Sequence, residues 1–79
     1  MKARIYITPK LGVLDPQGKA IEQALLNLGF LDINSVRQGK YFEVDLKKDN
    51  LDKAKKDVES MCKKLLANTV IEDYKIELF

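Results

Sequence analysis

Residues 2–8, Lys2-Ala-Arg-Ile-Tyr-Ile-Thr8, set Ala3, Ile5 and Ile7 on one side and Lys2, Arg4, Tyr6 and Thr8 on the other. Alternation with period two, rich in β-branched residues, predicts a strand buried on one face. Pro9 donates no ladder hydrogen bond, so the strand ends there and residues 9–14 form a loop. Downstream, Asp15-Pro16 starts a helix over 16–28. The carboxylate accepts from an orphan backbone N–H, and proline suits the first helical position. Ala20 or Ile21, Ala24, Leu25 and Leu28 recur at helical spacing, and Gly29 supplies the left-handed stop.

A second β region spans 33–47, with Phe42, Val44 and Leu46 opposed to Tyr41, Glu43 and Asp45. Val36 shares the phase of Phe42, and Gly39 sits between them, so one bent strand and a hairpin about Gln38-Gly39 both remain open. Asp49 or Asn50 caps a second helix over 51–67, whose seam is Leu51, Ala54, Val58, Met61 and Leu65, with Asn68 as its stop. The last strand, 71–79, puts Tyr74, Ile76 and Leu78 on one face. This order predicts one α+β domain over residues 1–79: an antiparallel sheet of three to four strands, two helices on one face, ferredoxin-like in character.

Composition narrows the function. A chain of 79 residues buries only roughly 60% of its unfolded surface and is marginal alone. Chains this small usually gain stability from disulfides, a metal or a partner. Cys62 is the only cysteine and there is no histidine, which leaves a partner chain. Fourteen basic and twelve acidic side chains give a net charge of +2, too small to draw the chain to nucleic acid or a membrane surface. No apolar run approaches the ~20 residues of a membrane span. The Met-Lys-Ala-Arg start lacks a signal core, and a lone thiol suits a reducing compartment, so the expectation is cytoplasmic.

Three chemical motifs fail on inspection. Gly12 and Gly18 stand one residue too far apart for a P-loop, and Ala20 lacks the hydroxyl that would hold magnesium. Cys62 lies late in a helix with no histidine to activate it, and reads as a packed thiol. The pairs Glu43 with Asp45 and Glu72 with Asp73 have nothing to hold a substrate between them. A competing signal is for RNA: Tyr6 and Tyr41 echo the stacking platform of an RNA-recognition domain. The longer glycine–aromatic motif is missing, and Glu43, Asp45 and Glu77 would repel phosphates. A ferredoxin-like RNA- or ligand-binding module is therefore the alternative function.

Four stretches, Gly12–Ala20, Val36–Tyr41, Met61–Asn68 and Ile71–Tyr74, carry a family likeness in order and register. Together they resemble the PurS subunits of phosphoribosylformylglycinamidine synthase over essentially the whole chain. Thr69 departs from the pattern, since many members place proline after the asparagine. The resemblance implies a non-catalytic assembly subunit of a purine-biosynthesis ligase. A PurL-type synthetase would bind ATP, magnesium and formylglycinamide ribonucleotide, while a PurQ-type glutaminase would release ammonia from glutamine. This chain would bring the two together as a homodimer or homotetramer, binding no cofactor or metal itself. The outer sheet face mixes tyrosine and arginine, types enriched at interface cores. The candidate contact residues are Arg4, Tyr6, Arg37, Lys40, Tyr41, Glu43 and Tyr74.

Overall fold

The computed structural model describes residues 1–47 and 49–79. Its elements run β1 (Lys2–Pro9), α1 (Pro16–Asn27), β2 (Lys40–Asp45), α2 (Leu51–Met61), a π-helical turn (Cys62–Leu66) and β3 (Glu72–Leu78). The sheet has the order β2-β1-β3, antiparallel throughout. This is the α+β, ferredoxin-like arrangement, with three strands. Ala3, Ile5 and Ile7 occupy the middle strand and are fully buried, because neighbours flank them on both sides and α2 covers them. Ile5 stands opposite Phe42 on β2 and Ile76 on β3. Val58 and Cys62 close over this row, while Phe42, Val44, Leu46, Tyr74, Ile76 and Leu78 pack against it half-buried.

Both helices start where the sequence places them. Asp15 accepts from Gly18 N at 3.0 Å, and Asn50 Oδ1 accepts from Lys53 N at 3.1 Å. The second helix ends differently from a regular run over 51–67. Ala67 N donates to Cys62 O at 2.9 Å, a bond spanning five residues in place of four. The extra residue advances the seam by one position. Leu66 and Ala67 then turn toward the core, and Leu65 is left 83% exposed.

Neither arrangement left open around Gly39 is formed. β2 begins at Lys40, and residues 33–39 carry no strand. Gly39 instead passes the β1 backbone so closely that a Cβ there would collide with Ile7 O. Glycine is required by the approach rather than by a turn.

The first helix does not lie on the sheet as expected of a two-helix layer. No α1 side chain belongs to the core cluster, and only Gly18 of α1 is buried. A strand the length of β1 spans about 26 Å and a helix the length of α1 about 18 Å. The molecule is 49 Å long and only 24 × 15 Å across, a long axis that neither element spans alone. The radius of gyration is 15.9 Å, where a compact chain of this length has about 12 Å. The reason lies at the root of α1, whose polar ties hold it at one end of the sheet.

Candidate functional site

Those ties run between the stretches that carry the family likeness and two residues outside them, Lys10 and Glu22. Asp15 Oδ2 accepts from Gln38 N at 2.8 Å while its Oδ1 caps α1. Gln38 Nε2 donates to Gln17 Oε1 at 2.7 Å, and Val36 N donates to Glu22 Oε1 at 3.1 Å. Arg37 Nη2 reaches Lys10 O at 2.7 Å, and Lys10 N donates to Ile71 O at 2.9 Å. Lys40 Nζ lies 3.6 Å from Glu72 Oε2, and Glu72 Oε1 accepts from Asn68 N at 2.7 Å. Gly18 is fixed by the same crowding, since a Cβ there would meet the Asp15 carboxylate and Val36 O. A cleft of 200 Å³ opens at this junction, lined in part by Leu14, Asp15, Gln38, Lys40 and Glu72. Its charged groups are largely turned to one another, so the four stretches meet to brace the chain.

The N–H of Gln38, then that of Gly18, holds the Asp15 carboxyl below the usual carboxylate range, and the Arg37 charge helps. A depressed folded-state value contributes stability above the unfolded value, and that contribution is lost as pH falls through the folded one. Asp15→Asn should therefore be less stable than the parent at about pH 7, with the gap closing progressively below about pH 4. Urea midpoints across that range measure it; a gap independent of pH would exclude the carboxylate as the clasp.

The outer sheet face, turned away from α2, brings together four of the seven candidate residues. Arg4 stands opposite Glu43 and Glu77, and Tyr6 stands opposite Tyr41 and Lys75. The Tyr6 and Tyr41 rings lie 5.1 Å apart at 43°, and Tyr41 donates to Glu43 Oε1 at 2.9 Å. Arg4 stacks over the Phe79 ring at 4.2 Å, a contact that sequence alternation did not suggest. A hydrogen bond to Glu77, then burial, raises the Tyr6 hydroxyl; burial, then the bond to Glu43, raises Tyr41. Both rings remain neutral donors leaning on carboxylates, a poor seat for a phosphate backbone.

The other three candidates lie elsewhere. Lys40 follows the phase of Phe42 onto the α2 side, where it meets Glu72. Tyr74 packs half-buried against the core, and Arg37 sits in the connection before β2. Alternation carried back to position 40 would have placed Lys40; no local signal reveals the bond from Asp15 to Gln38. Cys62 is fully buried, and burial, then the Glu59 charge, raises its thiol away from the nucleophilic form. Among the described residues, no cluster of three or more His, Cys, Asp or Glu could hold a metal, and no helix is long and apolar enough to cross a membrane.

Comparison with known proteins assigns the chain. The family described as PurS, phosphoribosylformylglycinamidine (FGAM) synthase, matches residues 2–79. Phosphoribosylformylglycinamidine synthase subunit PurS of Bacillus subtilis is 46% identical over 77 residues, 98% of this chain and 90% of that protein. The crystal structure of Methanocaldococcus jannaschii PurS, described as one of the subunits of formylglycinamide ribonucleotide amidotransferase in the purine biosynthetic pathway, is 46% identical. It superposes with a TM-score of 0.84 over 96% of this chain and 92% of its own. A chain in the structure of PurLQS from Thermotoga maritima, 32% identical, superposes at 0.86 over 96% of this chain and 93% of its own. Coverage so nearly complete takes in α1 as well as the sheet, so the elongated outline is common to these chains. From the match along its whole length, this chain belongs to the PurS family of phosphoribosylformylglycinamidine synthase subunits.

Proposed function

We propose that residues 1–79 act as one domain, the non-catalytic assembly subunit of a phosphoribosylformylglycinamidine synthase in de novo purine biosynthesis. The carrying observation is that a chain of the same family and outline is found within the PurLQS structure. In this reading a PurL-type synthetase binds ATP, magnesium and formylglycinamide ribonucleotide, and a PurQ-type glutaminase releases ammonia. The present chain, a cytoplasmic homodimer or homotetramer, holds the two together and binds no cofactor.

The chemistry gives such a subunit a purpose. Ammonia released into neutral water is mostly protonated, and ammonium has no lone pair with which to attack. Docking the two active sites on one scaffold shields the neutral amine and raises its effective concentration, as tethering does for linked binding modules. The scaffold needs adhesive surfaces and no reacting group. The outer face built on Arg4, Tyr6, Tyr41 and Glu43 is the surface we assign to a partner subunit.

Reconstitution tests this. Adding the chain to matching synthetase and glutaminase subunits should switch on glutamine-dependent turnover, while turnover on high ammonium should depend on it far less. Equal glutamine-dependent rates with and without the chain would sink the assembly role.

A further inference from the structure

One end of the sheet gathers apolar side chains that the chain itself leaves open. The β1–β3 register runs to Pro9 opposite Glu72, and the bond from Lys10 N to Ile71 O extends it by one pair. Leu11 and Val70 come next, in two adjacent turns. Val13 N closes the first on Lys10 O at 3.2 Å, and Ile71 N closes the second on Asn68 O at 3.0 Å. Leu14 stands on the rim of the cleft that Ile71 also lines. The π-helical turn leads through residues 67–71 into β3, which brings Leu65 to this end as well. Exposure runs from 78% at Leu14 to 91% at Leu11, with Val70 at 80%.

Two features point to another protein as the cover. The first is the π-helical turn, which sends Leu65 outward from the seam although burying it would have served the core. Single π turns recur at functional sites, and an open apolar patch with a polar rim marks a protein contact. The second is charge. Lys10 flanks Leu11, and Lys63 and Lys64 precede Leu65; among the described residues none of the three has an ion pair, whereas Lys40 and Glu72 nearby satisfy each other. Unpaired cations around an apolar centre fit an apolar surface bordered by carboxylates. A second copy does not offer one, because across a two-fold axis the lysines would meet lysines.

We propose that this end of the sheet is the second docking surface of the bridging subunit, taking the catalytic subunit that the outer face does not bind. The cover is an apolar patch bordered by aspartate and glutamate. This deepens the assembly role and rests on it, since a bridge needs two surfaces that can be filled together. Arg4, Tyr6, Tyr41 and Glu43 occupy the broad face of the sheet, and Leu11, Leu65 and Val70 its end.

Sedimentation of the full chain with the matching synthetase, with the glutaminase, and with both decides it. Val70→Asp should weaken binding to one of the two at least about 30-fold and leave the other bound, with an unchanged circular dichroism spectrum. Tyr41→Asp should do the reverse. Lys63→Glu combined with Lys64→Glu should weaken the same contact as Val70→Asp, more at low salt than at high. If Val70→Asp binds both subunits as the parent does, or loses the same one as Tyr41→Asp, the second surface is overturned and the assembly role stands. Loss of self-association in Val70→Asp would give the patch to a second copy and overturn the proposal. So would binding of the parent to phosphatidylglycerol vesicles that Val70→Asp abolishes. A parent that binds neither subunit, alone or together, overturns the assembly role itself.

Discussion

Ile5→Ala is expected to leave the chain on the edge of unfolding, with its thermal midpoint lowered by 10 °C or more, about what the loss of 2–5 kcal/mol implies in so small a domain. Ile5 is fully buried at the centre of the sheet, between Phe42 and Ile76 and beneath α2. No neighbour can collapse into the space without drawing in a whole strand. Domains of this length hold only about 4–12 kcal/mol in total, so one cavity removes a large share. Leu65→Ala is the paired control. The π-helical turn has put Leu65 at 83% exposure, so its truncation should move the midpoint by no more than about 2 °C. Thermal unfolding followed by circular dichroism at one fixed concentration compares the two. Equal losses would mean that the seam runs as an unbroken helix and that the core is not where it is described.

Tyr41→Asp is expected to lower glutamine-dependent turnover of the reconstituted enzyme at least tenfold, while ammonium-dependent turnover and the dimer stay as they are. The ring is 47% exposed and leans on Tyr6, so its loss costs the isolated chain little. Aspartate would remove that aromatic area and set a new negative charge near Glu43, to which the hydroxyl was bonded. A partner surface complementary to tyrosine, arginine and glutamate would meet like charge and an unfilled pocket, a loss of about 2 kcal/mol for a central contact. Rates on glutamine and on ammonium, measured with the same synthetase, separate docking from chemistry. Undiminished glutamine-dependent turnover would remove Tyr41 from the partner surface.

The parts of the fold visible in the sequence are those set by local physics. Ala3, Ile5 and Ile7 alternate because one side of β1 is core, and Asp15-Pro16 begins α1 because a carboxylate and a ring both suit a helix start. Asn50 begins α2 for the same reason. What stayed hidden depends on contacts between distant segments. Gly39 reads as a bulge or a turn until Ile7 O is seen against it. The seam through Leu65 reads as regular until one backbone bond lengthens by a residue. The apolar stripe of α1 looks like half of an ordinary core, because periodicity says that a helix must be covered but not by which chain. On the outer face, alternation placed Arg4, Tyr6, Tyr41 and Glu43 together, whereas Lys40 and Tyr74 had the phase of the core side. Function was legible through family likeness, since an adhesive subunit has no reacting constellation to read.

Asp15 gives the molecule a mechanical property. Its two oxygens clamp the beginning of α1 to Gln38, two residues before β2, while the far end of the helix has no core contact. Because Glu22 Oε1 is also bonded to Val36 N, the arm left free runs from Glu22 to Leu28, about 9 Å, and its tip moves by about 1.6 Å for each 10° of rotation. A neighbour that tugged on the connection ahead of β2 would be felt, amplified, at Leu28.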